Sequence, residues 1–333
     1  MTKKQWRNIK EWIKFALAIA CVVVFAVFFI FNVWSPVKKP IGVVVPRGAS
    51  VTGMTNYLAK NHIIKSKELF YFSIRLNGGK IQAGEYEIPR GAGVWTVASM
   101  LTHGRVATTS ITIPEGFTIR QIKNMLMNTP SLAGEVDCDK SLPVCDLQDG
   151  DIFPDTYRFA RGTARLAILD LARKKMLEVK QSLDNQKYPA PLKSWEEVLV
   201  LASIVQKETP IVREMPIVAS VYLNRLNINM RLQACPTVIY ALTDFEGDMH
   251  GEPLLSGHLK MESPFNTYMH AGLPPKPIAN VGRDAIRAVL KPAKTDYLFF
   301  VADGKGGHKF SKTYDEHQKN HEAWREIKKE LNK

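Results

Sequence analysis

"LASIVQKETP", residues 201–210, reads as the last turns of a helix stopped by a proline. At about 100° per residue, Val198, Leu201, Ile204 and Val205 fall on one apolar stripe. Glu208 falls in the middle of that stripe, while Gln206 and Lys207 point elsewhere. An ionised carboxylate on an apolar face is costly unless it is paired. Glu208 is therefore either half of an ion pair, with Arg213, Arg225 or Arg231, or a carboxyl kept protonated for a purpose. Working back along the helix, Ser194 is a good N-cap, and Glu197 three residues on completes a capping box. Pro210 ends the helix because Thr209 is disfavoured in the helical region before proline. A second helix is expected over about 214–226, within which "IVASVYLNRL" carries the apolar residues.

The chain has 333 residues, 45% hydrophobic and 23% charged, which is globular and long enough for two or three domains. Its amino end is different. Phe15–Trp34, "FALAIACVVVFAVFFIFNVW", holds no charged residue, and 20 helical residues span about 30 Å, the thickness of the bilayer hydrocarbon. Lys3, Lys4, Arg7, Lys10 and Lys14 precede it against Glu11, which keeps the amino end cytoplasmic. The run is longer than a signal-peptide core, and no small-x-small site follows before "SPVKKP". The expectation is a retained single-pass anchor at the plasma (inner) membrane, with the remainder outside the cytoplasm. The formal charge of +13 suits an anionic membrane surface or an acidic polymer such as cell wall. Export and the lack of a basic-aromatic cluster argue against nucleic acid. Of four cysteines, Cys138 and Cys145 in "CDKSLPVC" are placed to bridge in an oxidising compartment. Eight histidines show no metal spacing, so neither metal nor cofactor is expected.

Three segments share one pattern: "VVVPRGASVTGMTNYL" (43–58), "YEIPRGAGVWTVASML" (86–101) and "ITIPEGFTIRQIKNML" (111–126). Strand-like residues meet Pro46, Pro89 or Pro114, then a charged residue and a glycine. Four residues after each proline stands an N-cap: Ser50, Gly93 or Thr118. Each segment reads as strand, tight turn and amphipathic helix. The fold class expected is α+β: a transmembrane helix, a small α+β module, then a larger mixed α+β domain. The boundaries are a tail at 1–14, the span at 15–34, the module at 41–105, a connecting segment at 106–162 and the large domain at 163–333. The large domain reads as a cationic helix from Thr163 to Leu183, the two helices above, turns, a helix over 283–290, the strand "YLFFVAD", a Gly-rich turn and a charged terminal helix. "DGKGGH" lacks the strand-loop-helix setting of a phosphate loop and reads as a hairpin turn.

Residues 201–209, "NRLNINMRLQACPTVIYAL" (224–242), "SPFNTYMHAGLPPKPIANVG" (263–282), "GDIFPDTYRF" and "YLFFVADGKGGHKFSKTYDEH" (297–317) resemble the endolytic murein transglycosylases of the MltG (YceG-like) family. The resemblance runs in order from the anchor to about residue 325. It implies a membrane anchor, a LysM-like module over the first two repeats, and a carboxy-terminal catalytic domain. The implied activity is internal cleavage of peptidoglycan glycan strands near the membrane, at the MurNAc–GlcNAc β-1,4 bond. The product carries a 1,6-anhydro-N-acetylmuramic acid end, and the reaction terminates glycan elongation beside peptidoglycan synthases.

The resemblance makes Glu208 the catalytic acid, in agreement with its place on the apolar stripe. Delivering a proton to a glycosidic oxygen requires a carboxyl still protonated near neutral pH. Burial and the negative end of the helix both raise its pKa. Amide, hydroxyl and aromatic side chains suited to sugar hydroxyls and N-acetyl groups make Asn224, Arg225, Gln233, Thr237, Asn266 and Tyr268 the substrate-binding candidates. The chain departs from the family in having Gln206 where Glu is frequent, Cys235 where Asp is common, and Phe265 for a usual Tyr. Two rival readings stand beside this one. The first is a two-carboxylate wall glycosidase, pairing Glu208 with Asp244, Glu246 or Asp248. The second is a non-catalytic glycan-binding scaffold in which Glu208 is part of a salt bridge.

Overall fold

The computed structural model describes residues 3–33, 35–46, 48–104, 108–138, 143–183 and 186–331. After the helix α1 (Lys3–Val33), β1 (Ile41–Val45) leads to α2 (Val51–Lys60) and then to α3 (Lys67–Leu76). β2 (Gly84–Ile88) leads to α4 (Val94–Thr102), and β3 (Thr108–Thr112) to α5 (Ile119–Met127). The three proline-glycine segments thus fold alike. Their turns place Gly48, Gly91 and Gly116 at φ of +77°, +80° and +78°, a conformation in which a side chain would be strained. Ser50 and Thr118 then cap their helices by accepting from Gly53 N and Gln121 N. The Thr118–Gln121 pair closes a full capping box.

Residues 1–109 with 158–161 make one compact unit, and 110–157 with 162–333 make another. The segment 106–162, set apart in the sequence as a connector, therefore divides between the two, most of it belonging to the second. In the first unit β1 and β2 pair antiparallel, Ile41 opposite Ile88 and Val43 opposite Tyr86. Val43, Leu58, Phe70, Ile74, Tyr86, Ile88, Val97 and Leu101 form its core. α3 went unread in the sequence, though Ser66 caps it and Phe70, Ser73 and Ile74 are its buried face. α1 is continuous through the apolar run, whose described side chains are those of 15–26 and 29. Among the described residues no helix is long and apolar enough to cross a membrane. The side chains of Lys3, Lys4, Arg7, Lys10 and Glu11, and Trp34 altogether, lie outside the described residues.

In the second unit the two-residue strands β4 (Leu132–Ala133) and β6 (Thr163–Ala164) pair in parallel. β3 pairs with β5 (Thr156–Ala160), each strand having residues in both units. Cys138 and Cys145 are joined in a disulfide with Cα atoms 5.4 Å apart. Next come α6 (Arg165–Leu183), α7 (Trp195–Glu208), α8 (Met215–Asn227), α9 (Cys235–Leu242) and α10 (Arg283–Leu290). β7 (Phe299–Ala302) and β8 (His308–Ser311) form an antiparallel hairpin ahead of α11 (Tyr314–Leu331). "DGKGGH" is the hairpin turn. Asp303 accepts the backbone N–H groups of Lys305 and Gly307, and Gly304 and Gly306 take positive φ.

α9 corrects in part the expectation of a loop around Pro236: Thr237 lies on the helix, while Gln233 stays outside it, ahead of the N-cap Ala234. Pro236 lies in the first turn of the helix, where the missing N–H costs nothing.

α7 is the axis of this unit. Val198, Leu201, Ala202, Ile204 and Val205 are fully buried, and Leu199, Val200 and Ser203 nearly so or fully. The stripe drawn from the sequence is in fact most of the helix circumference, as a helix central to a core requires. α8 and α10 supply Val218, Ala219, Tyr222, Ala285, Ile286 and Val289 to the same core. Ser203 is satisfied within it, donating to Val200 O and accepting from Ile278 N.

A polar tie joins α5 and α9. Asp149 accepts from Ile119 N at the start of α5 and, through its other oxygen, from the Tyr240 hydroxyl at 2.5 Å. Burial nevertheless raises the Asp149 pKa from 3.8 to about 6, outweighing these bonds. The folded state therefore binds this proton more tightly than the unfolded chain does. The stability this contributes is full below about pH 3.8 and is lost as pH rises through about 6. Asp149→Asn keeps the acceptor for Ile119 and removes the titration. We expect the wild type to lose about 2–3 kcal/mol relative to this variant between pH 4 and pH 7. Urea unfolding of both proteins across that range measures the difference; parallel curves would contradict it.

Candidate active site

Glu208 is the last residue of α7, at the end of its buried segment. Thr209 turns the chain out with φ −142° and ψ 131°, the extended conformation that a following proline demands. This break leaves the Glu208 carboxyl facing a cavity of 420 Å³. Its walls include Tyr222 and Arg225 from α8, Gln233 and Cys235 at the start of α9, Tyr268, Phe299 and Phe300 from β7, and His317 from α11. Gln206 and Lys207 face elsewhere. The Gln206 amide oxygen accepts from Gly282 N, and Lys207 donates to Gly116 O and Gly247 O.

The carboxyl is partly open to the cavity yet enclosed by protein on its other sides. Among the described residues Glu208 forms no ion pair, so none of Arg213, Arg225 and Arg231 is a salt-bridge partner. Its Oε1 accepts instead from the Tyr222 hydroxyl at 2.8 Å. Burial raises the Glu208 pKa, and the Tyr222 bond, His308 and Arg225 oppose that rise without cancelling it. A buried carboxyl with a raised pKa beside a cavity is suited to donate a proton.

The six residues singled out as substrate binders divide in two. Arg225, Gln233 and Tyr268 line the cavity with Glu208. The Arg225 guanidinium donates at 2.6 Å to Leu298 O and Leu232 O, which fixes it across the cavity wall. Gln233 sits at φ +50°, a left-handed conformation uncommon outside glycine, and its N–H donates to Thr267 O. The Tyr268 hydroxyl is 3.1 Å from the Cys235 sulfur. Asn224, Thr237 and Asn266 instead spend their polar groups on the scaffold. Asn224 donates to Thr295 O and Tyr297 O, each at 2.9 Å. Thr237 donates to Ala234 O and bonds the Thr267 hydroxyl. Asn266, fully buried, donates to Leu259 O and Met261 O. These three hold the loops that carry Gln233, Tyr268 and Leu298.

Sequence reasoning missed Tyr222 and the wall formed by β7 and α11. Tyr222 had one signal, a hydroxyl in the otherwise apolar "IVASVYL", three residues before Arg225 and so on its helix face. His317 and His321 are likewise one turn apart on α11. Nothing in the sequence says that this helix returns to the site. Among the described residues no group of three metal-ligating side chains is assembled.

The family model described as "YceG-like family" matches residues 43–323 of this chain. The chain is 30% identical over 328 residues to an endolytic murein transglycosylase of Bacillus subtilis (strain 168), covering 88% of this chain and 87% of that one. It is 26% identical over 326 residues to an endolytic murein transglycosylase of Streptococcus pneumoniae serotype 2 (strain D39 / NCTC 7466), and it spans 58% of that relative's length. A 2.6 Å crystal structure of a yceG-like protein from Listeria monocytogenes is 30% identical in sequence. That match has a TM-score of 0.48 and covers 85% of this chain and 99% of that one. The match along most of the chain, at this identity, makes the chain a member of the YceG-like family.

Proposed function

We propose that the chain cleaves the MurNAc–GlcNAc β-1,4 bond inside nascent glycan strands, with Glu208 as its acid and base. The chain is an enzyme of the lytic transglycosylase class, as its family and curated relatives are. One observation carries the mechanistic reading: Glu208 is the only carboxylate among the described residues lining its cavity. A hydrolase of the usual kind needs a second carboxylate beside the bond, to activate water or to attack. A lytic transglycosylase does not. Glu208 gives its proton to the leaving GlcNAc oxygen as the bond to C1 of MurNAc breaks. The resulting carboxylate then removes the proton of the C6 hydroxyl of the same MurNAc, whose oxygen closes on C1. Glu208 ends protonated, the product is the 1,6-anhydro sugar, and no water is consumed.

The residues of the rival two-carboxylate reading are engaged elsewhere. Asp244 pairs with Arg120 at 3.0 Å, and Glu246 with His250 at 3.4 Å. The Asp248 carboxylate accepts from His250 N. The non-catalytic scaffold needs Glu208 in a salt bridge, and its partner is a tyrosine. Intact full-length protein in detergent, incubated with purified glycan strands, tests the proposal through the mass of the new ends. Anhydro ends support it; strands bound but uncut favour the scaffold.

The first unit grips glycan as a LysM-like module in this reading, and α1 anchors the chain in the plasma membrane beside peptidoglycan synthases. The support is the apolar run of residues 15–34 behind five basic residues. Protease added outside spheroplasts should then digest the bulk of the chain. Full protection would overturn the topology.

A further inference from the structure

Tyr222 is buried to 1% exposure, yet its hydroxyl is aimed at Glu208, the one carboxylate among the described residues of the site. Its ring stands edge-on to Phe300 at 5.9 Å, within the core that fixes α8 against α7. An aromatic ring there needs no hydroxyl to fill space, and a buried hydroxyl without a partner is costly. The carboxyl has two oxygens, and Tyr222 donates to Oε1. A proton on Oε1 would make the Tyr222 hydroxyl turn and accept, leaving its own O–H with no other partner among the described residues, so the acidic proton is directed to Oε2. We propose that Tyr222 is the positioning residue of the reaction, fixing which oxygen of Glu208 carries the transferred proton and steadying the carboxylate between the two half-steps. The inference rests on the acid–base reading of Glu208 given above.

The other groups around the carboxyl do not duplicate this role. Arg225 on α8 and His308 on β8 act on Glu208 through charge, and neither is hydrogen-bonded to it. Arg225 is committed to Leu298 O and Leu232 O, and His308 to the carboxylate of Glu214 at 2.7 Å. Cys235 on α9 and Tyr268 bond each other, and both titrations feel the Glu208 charge. His317 on α11 stacks on Phe299, with His321 one turn beyond it. Tyr222 is therefore the one neutral donor held against the carboxyl among the described residues.

Tyr222→Phe keeps the ring and removes the donor. Losing a bond that favours the carboxylate raises the pKa of Glu208, so the alkaline limb of kcat/KM, where the acid is lost, moves to higher pH. kcat should fall about tenfold, the worth of one hydrogen bond to a charged group, with KM little changed. A 3,5-difluorotyrosine placed at 222 makes a more acidic donor, and it should move the same limb to lower pH. That second variant keeps the test open if the first folds poorly. A purely structural Tyr222 lowers the melting temperature and leaves the limb where it is in both proteins; that result overturns the proposal. Glu208→Gln, assayed alongside, separates the two claims. If it is inactive while neither Tyr222 variant moves the limb, only the positioning role fails. If it cleaves normally, the acid–base reading beneath it fails first.

Discussion

Glu208→Gln is expected to reduce cleavage by at least about 10²-fold, the lower range for general acid–base catalysis, while folding is unchanged or slightly improved. The amide keeps the shape of the carboxyl and still accepts from the Tyr222 hydroxyl that Oε1 engages at 2.8 Å. What it lacks is a proton that can leave and return. Burial already raises the Glu208 pKa, so a permanently neutral side chain suits this environment at least as well as a carboxylate. A salt-bridged Glu208 predicts the opposite pattern: a clear fall in melting temperature, with activity lost only through unfolding. Melting temperature and single-turnover cleavage, measured on one preparation, distinguish the two. A Gln variant that cleaves like wild type removes Glu208 from the chemistry.

The largest structural effect is expected at Asn280. Fully buried, its side-chain oxygen accepts from Gly150 N and Ile152 N at 3.0 and 3.1 Å. Its amide nitrogen donates to Phe117 O at 3.0 Å. One side chain thus ties the turn before α5 and the "GDIF" turn to the segment leading into α10. Asn280→Ala leaves two buried N–H groups without partners, each costing about 1–3 kcal/mol, and takes one of the two donors from Phe117 O, which keeps the Asn280 backbone N–H. A loss of about 4 kcal/mol follows, seen as a lower urea midpoint at unchanged m value. A midpoint within error of wild type would mean that water or a shifted backbone replaces the amide.

Local chemistry made much of this fold legible. The proline-glycine turns, their N-caps and the helix stop at Thr209–Pro210 depend on residues within a few positions of one another. Hence the strand-turn-helix units, the bounds of α7 and α10 and the β7–β8 hairpin were readable directly. The burial of Glu208 was readable for the same reason, since four apolar neighbours at helical spacing announced it. α9 was missed because a short helix with few polar residues gives weak periodicity, and Pro236 looked like a loop marker when it opens a helix. α3 carried a readable N-cap, Ser66, and an apolar face that went unused.

The composition of the cavity was less legible. Asn224, Thr237 and Asn266 carry groups suited to sugars, but their partners are backbone carbonyls up to 73 residues away. Tyr222 meets Glu208 only because α8 crosses the end of α7, and β7 and α11 close the wall from more than 90 residues further along. Side-chain type says what a residue is able to bind; long-range packing decides whether it is free to do so. Arg225, one of the alternative salt-bridge partners, makes no ion pair with Glu208 among the described residues and turns its Nε and Nη1 to Leu298 O and Leu232 O.

The most direct test of the central claim is the fate of oxygen during cleavage by the full-length protein in water enriched with oxygen-18. If Glu208 works alone, the C6 hydroxyl of the sugar closes on C1 and no solvent atom enters. The new MurNAc end should then weigh one water less than a hydrolysis product and carry no label. Oxygen-18 at C1 of the new end would mean that water attacks C1, that a second group activates it, and that Glu208 does not work alone.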